Sequence, residues 1–155
     1  MSLPFDPSDP AYEARVRESF ARQPFMATLG AALGAVEPGR VEVVLPYQDS
    51  ITQQHGFFHG GAIGAIADTA GGYAAFTLFP ADSTVLTVEY KINIMAPGRG
   101  ARLVAVGEVT RSGRTLTVTR VDVYAEADGA RTHCATATQT LICLMGRSDA
   151  PTAAS

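Results

Sequence analysis

The stretch His59-Gly60-Gly61-Ala62-Ile63-Gly64-Ala65-Ile66-Ala67-Asp68 decides the fold of this chain, because it sets a carboxylate inside a helix of small and apolar residues. From Gly60 to Phe79, Asp68 is the single charged side chain. On a helix it falls in line with Gly61, Gly64, Gly72 and Ala75, at intervals of three or four. Ile63, Ile66, Tyr73 and Phe76 form a bulky stripe away from that face. The helix is therefore expected to pack its large side chains into a core and to leave Asp68 in a crease of glycine and alanine that a substrate can reach. A satisfied buried carboxylate on a helix whose glycines merely admit a sheet is the bland alternative. Gly71 and Gly72 each cost about 0.5–1 kcal/mol against alanine, and close approach explains the glycines but not the aspartate.

The helix opens with Gly60-Gly61, where unpaired N–H groups and the positive end of the dipole can polarise a carbonyl or hold an oxyanion. Asp68 lies two turns further on, on the order of 10 Å by helix rise. That is too far for both to act on one atom within one chain, and a partner chain would close the gap.

Outward from the helix, Asp9-Pro10 is an N-cap with proline at the first helical position, and Tyr12, Val16 and Phe20 recur every fourth residue until Gln23-Pro24. A short amphipathic helix over Ala11 to Arg22 is expected. Strands are expected over Leu29 to Val36 and Val41 to Pro46, with a tight turn at Glu37-Pro38-Gly39 and a loop from Tyr47 to Phe58. After Pro80 the chain reads as β throughout, with strands over Val85 to Met95, Ala101 to Arg111, Thr115 to Glu126 and Ala130 to Leu144. Pro97-Gly98-Arg99-Gly100, Ser112-Gly113 and Asp128-Gly129 mark hairpin connections. In the first of these strands Leu86, Val88, Tyr90, Ile92 and Ile94 predict a core face, and Thr87, Glu89, Lys91 and Asn93 a polar one. The pattern predicts an α+β domain in which an antiparallel sheet curls around one long Ala-rich helix. Residues 1–24 read as an N-terminal tail with its short helix, 25–145 as the domain, and 146–155 as a disordered tail.

At 155 residues the chain is large enough for one domain whose core needs neither metal nor disulfide. Cys134 and Cys143 stand an odd number of positions apart in one strand, so alternation puts them on opposite faces, and a reducing cytoplasm is expected. The first ten residues lack the basic flank and apolar run of a signal peptide, and no apolar stretch predicts a membrane span. A net charge of -3 without a basic stripe gives no reason to expect nucleic acid. His55 and His59, and His133 beside Cys134, find no third ligand at a recognisable spacing, so no metal is expected. No Ser-His-Asp order or glycine elbow points to serine or cysteine catalysis.

The pattern Gln53-x-x-Gly56-x-x-His59-Gly60-Gly61, followed by Asp68, resembles the hotdog-fold acyl-CoA thioesterases of the PaaI-like group. The likeness continues through Thr87-Val88-Glu89-Tyr90-Lys91-Ile92-Asn93-Ile94-Met95-Ala96-Pro97-Gly98 to the last strand. It implies hydrolysis of an acyl-CoA to free acid and coenzyme A without a cofactor, by a homodimer with shared active sites, often doubled to a homotetramer. By position, Gly60 resembles the residue whose N–H binds the thioester oxygen, and Asp68 of the partner chain the base or nucleophile. His59 would support the loop, Gln53 lie beside the thioester, and Thr87 help hold the attacking water. Gly61 would assist at the donor end, while Gly98-Arg99 and Gly113-Arg114-Thr115 resemble the places where this family grips coenzyme A. Arginine suits phosphate because its planar donors bind two oxygens at once. Solvated charge at hairpin tips remains the other reading of both arginines. Two further functional classes stay open: a hotdog hydratase or dehydratase acting on acyl-thioester double bonds, and a non-catalytic acyl-CoA-binding module. The glycine pair after His59 and the glutamine before it favour hydrolysis, and the only extra helix is too short for a DNA-binding domain.

Overall fold

The computed structural model describes residues 5–152. Two helices, α1 (Tyr12–Ala21) and α2 (Pro24–Leu29), precede the sheet. The first starts later than the expected Asp9 cap: its N-cap is Ala11, with no side-chain cap bond, and Asp9 instead holds the preceding turn, its Oδ1 accepting from the Ala11 N–H at 2.9 Å. The second corrects the expectation of a strand from Leu29. Pro24 ends one helix and occupies the first turn of the next, and Gly30 at φ 75° closes it in the left-handed conformation. The strand begins only at Ala32.

The strands are β1 (Ala32–Glu37), β2 (Arg40–Pro46), β3 (Ser83–Ile94), β4 (Arg102–Ser112), β5 (Leu116–Ala127) and β6 (Ala130–Met145). They form one antiparallel sheet in the order β1-β2-β4-β5-β6-β3. The long helix α3 (Gly60–Phe76) packs against β2 to β6. This is the hotdog arrangement. Ile63, Ile66, Tyr73 and Phe76 are buried as the helical stripe requires, and each such side chain contributes roughly 1.5–3 kcal/mol. Gly107 of β4 sits where the Ala70 carbonyl leaves no room for a Cβ, so the sheet touches the helix backbone at its middle. Arg15 of α1 closes the far end of α3 by donating to the carbonyls of Phe76, Phe79 and Pro80 at 3.1, 2.7 and 2.6 Å. A cation there complements the negative helix terminus.

Strand β3 departs from simple alternation. The register with β6 slips between Thr87 and Glu89, leaving Val88 as the extra residue of a bulge. Thr87, paired with the buried Leu141, therefore faces the helix, as do Tyr90 and Ile92, while Leu86 faces out. The expected core face also fails in burial. β3 is a sheet edge, and Leu86, Val88 and Ile94 are 56%, 55% and 50% exposed. A second slip, between Val123 and Tyr124, leaves Cys134 as the extra residue on β6. Parity changes there, so Cys134 and Cys143 both end up buried rather than on opposite faces, in different core clusters and unbridged.

Residues 146–152 form no helix or strand, yet Asp149 is held by Arg22 at 2.6 Å and Thr84 at 2.7 Å. Residues 1–4 and 153–155, the ends of the two expected tails, lie outside the described residues. Among the described residues no helix is long and apolar enough to cross a membrane.

Candidate active site

His59 is the N-cap of α3. Its Nδ1 accepts from the Gly61 N–H at 2.7 Å, which leaves the ring proton on Nε2. Gly61 is thereby removed from the expected donors. The Gly60 N–H, by contrast, has no hydrogen-bond partner among the described residues. It opens with Gln53 and Gly98 onto a cavity of about 460 Å³. Gln53 is held there by its own turn, with Oε1 accepting from the His55 N–H at 2.5 Å and its backbone N–H donating to Phe57 at 2.9 Å. Gly98 accepts from the Phe58 N–H at 2.9 Å, tying the Pro97-Gly98 turn to the helix entry.

Asp68 opens onto a different cavity, of about 350 Å³. Its Oδ1 accepts from the Thr87 hydroxyl at 2.7 Å and from Gln139 Nε2 at 2.5 Å. Oδ2 has no partner among the described residues and is the oxygen free to act. Gln139 also donates to the Asp68 carbonyl at 3.1 Å, and only 1% of its surface is exposed. Sequence reading missed this residue. Its signal was a polar side chain in the inward phase of β6, two positions from Ala137 and two from Leu141. Gly71 makes room for it, since a Cβ on Gly71 would overlap Gln139 Oε1.

The bulge in β3 thus aims Thr87 at Asp68, and α3 carries the donor N–H and the carboxylate eight residues apart, about 12 Å along its axis. Between them Gly64 lies under the Tyr90 hydroxyl. The remaining expected residues do not converge in one chain. Arg99 borders a groove beside Tyr47, His55 and Phe57. Gly113, Arg114 and Thr115 form the hairpin at the other end of β4, where the Gly113 N–H donates to Leu116 at 2.9 Å. Eleven residues of strand put about 34 Å between the two arginine-bearing turns. Among the described residues no three His, Cys, Asp or Glu side chains gather as a metal site.

The sequence profile of the thioesterase superfamily matches residues 55–132, from the loop before the Gly60 donor through Asp68 and Thr87. The chain belongs to that superfamily. It is a thioester hydrolase. A thioesterase family protein from Silicibacter pomeroyi is 50% identical, with a TM-score of 0.86 over 87% of this chain and 99% of that one. A candidate esterase from Saccharolobus solfataricus is 37% identical over 94 residues, which is 61% of this thioesterase and 66% of that protein. The E. coli PaaI protein from the phenylacetic acid degradation operon shares the fold, with a TM-score of 0.78 at 18% identity, over 87% of this chain and 94% of that one.

Proposed function

We propose that this thioesterase hydrolyses an acyl-CoA, with an aryl or medium-chain acyl group, to free acid and coenzyme A at sites shared between two protomers. The observation that carries the reading is the division of the site: a free Gly60 N–H and a poised Asp68 Oδ2 open onto separate cavities of one chain. The β3 edge supplies a way to join them. Thr87 lies at the Asp68 end of β3, and Ile94 lies against Gly60. Antiparallel pairing of two β3 edges about a point between Tyr90 and Lys91 would set Ile94 of the partner subunit opposite Thr87. The partner's Gly60 would then face Asp68. The exposed apolar side chains of the edge would be covered in the same step. Leu86, Ile142 and Leu116, adjacent in register on the outer face, offer a further surface on which dimers double to a homotetramer.

In such a site the thioester oxygen takes the Gly60 hydrogen bond at the helix N-terminus, where negative charge develops. Asp68 Oδ2 either removes a proton from water as the water oxygen bonds to carbon, or attacks carbon itself. In the first course collapse of the tetrahedral centre breaks the C–S bond and Asp68 returns the proton to the departing thiolate. In the second, collapse leaves thiolate and a mixed anhydride on Asp68, which water cleaves to free acid and the Asp68 carboxylate, a proton of that water going to the thiolate. Thr87 has spent its hydrogen on Asp68 and accepts from Gln139 Nε2 at 3.2 Å, which leaves one lone pair for the water. Gln53 lines the Gly60 cavity, and its Nε2 has no partner among the described residues. Neither metal nor redox cofactor enters this chemistry, and two free buried cysteines suit a cytoplasmic protein. Hydratase chemistry would need a histidine beside the carboxylate, whereas His59 is committed to capping α3.

Thiol release from aryl-, short-, medium- and long-chain acyl-CoAs by the purified protein tests the proposal. Turnover of at least one class, lost in Asp68→Asn, is the expected result. A protein that binds acyl-CoA without releasing thiol would be a binding module instead.

A further inference from the structure

One cavity is lined both by Asp68 and Thr87 and, beyond Gly72 in the chain, by Tyr73 with Ser19 and Gln23. Asp68 and Tyr73 are five residues apart, about 7.5 Å of helix rise and about 140° around the helix, so the cavity passes around the side of α3, a path that an aryl ring or a chain of several carbons spans. The Tyr73 end is polar, with the exposed Arg22 at its rim. Tyr73 is 4% and Ser19 7% exposed, their hydroxyl oxygens lie 3.0 Å apart, and Gln23 Nε2 donates to the Tyr73 oxygen at 2.9 Å. Two hydroxyls bring two hydrogens and share one bond, so one buried O–H has no acceptor among the described residues. Turning the Gln23 amide over would spend that hydrogen on Oε1 and free an N–H in its place. In either arrangement the cluster holds a donor in excess. Burial pushes the Tyr73 phenol above its ordinary range, so it remains a donor at neutral pH.

We propose that this cavity holds the acyl group, and that Tyr73, Ser19 and Gln23 select acyl groups carrying a neutral acceptor oxygen, hydroxyl or carbonyl, at the end remote from the thioester. The inference rests on the reading of Asp68 as the residue at the thioester. A buried donor is costly to leave unmet, so a bare alkyl or phenyl end is disfavoured there. A carboxylate end is disfavoured as well. Arg22 at the rim is already paired with Asp149 at 2.6 Å, and a second anion would meet the Asp149 charge.

The test compares hexanoyl-CoA with 6-hydroxyhexanoyl-CoA, and 3-phenylpropanoyl-CoA with 3-(4-hydroxyphenyl)propanoyl-CoA, on wild type, Tyr73→Phe and Ser19→Ala. Wild type should favour the hydroxylated member of at least one pair by about tenfold or more in kcat/KM, and each variant, which changes which donor is left unmet, should change that ratio at least about threefold. Equal kcat/KM within both pairs, or a preference untouched by both variants, would overturn the proposal. Gln23→Met serves where a buried variant fails to fold. If no thioester is hydrolysed, the hydrolase reading falls, and calorimetric binding of the same four thioesters still decides the cavity. A hydroxyl preference in Kd that Tyr73→Phe changes sustains the cavity assignment, and equal affinities, or a preference the variant leaves untouched, end it.

Discussion

Gln139 Nε2 lies 2.5 Å from Asp68 Oδ1 and 3.1 Å from the Asp68 backbone carbonyl, so one buried amide fixes both the side chain and the helix turn that carries it. With Thr87 on the same oxygen at 2.7 Å, the carboxylate is held by one face and free on the other. Gly71 and the β3 bulge are the backbone features that permit this: one leaves space for the amide, the other turns Thr87 inward.

Replacing Gln139 by methionine keeps its length but removes the donor. We expect kcat to fall roughly ten- to a hundredfold with KM little changed, because a displaced carboxylate is out of line for attack. In the Asp68→Asn background the same change should have no further effect. Equal losses in both backgrounds, with a matching fall in Tm, would assign Gln139 to stability alone.

Asp68→Asn should preserve fold and oligomer while lowering kcat by on the order of 10²–10⁴, the usual worth of a general base. Circular dichroism and sedimentation provide the controls. A variant that turns over its best acyl-CoA at the wild-type rate would remove Asp68 from the mechanism.

Much of this was legible in the sequence, because helical spacing around Asp68 and turn residues between strands are local signals. α3 starts at Gly60 as expected, and both ends of each strand from β2 to β6 fall within two residues of expectation. Three features were not legible, each for a physical reason. The α2 helix hides behind a proline that reads as a stop. The bulges at Val88 and Cys134 invert parity without any glycine or proline to mark them. Gln139 joins the site only through tertiary contact, 71 residues from Asp68.

The edge of β3 gives another expectation. Tyr90→Lys places a cation opposite Lys91 of the partner subunit twice along the proposed pairing, which should shift the protein toward monomer in sedimentation and lower kcat/KM at least about tenfold. A fully active monomer would show that one chain holds a complete site.

Arg99 and Arg114 stand at opposite ends of β4, so one protomer cannot bring both to the same phosphate group. Arg99 adjoins the aromatic groove of Tyr47, His55 and Phe57. Arg99→Ala should raise KM for acyl-CoA about tenfold, with less effect from Arg114→Ala, and an acyl-pantetheine should be indifferent to both. Rising salt should weaken wild-type binding to acyl-CoA. Equal losses for both substrates would return these arginines to solvated hairpin tips.

The proposed sharing of the site has a test that a single-chain site cannot pass. Gly60→Pro removes the donor N–H, worth roughly 10²–10³ in rate, and Asp68→Asn removes the carboxylate. In a mixed dimer, one site joins the two damaged halves and the other joins the two intact halves. Equal mixing places half the dimers in the hybrid form, each with one of two sites whole, so activity should recover to about a quarter of wild type. Each variant must dimerise alone, and hybrids must be verified by differential tagging. Verified hybrids with no more activity than the parents would argue that the Gly60 and Asp68 of a single chain act together across the roughly 12 Å that α3 sets between them.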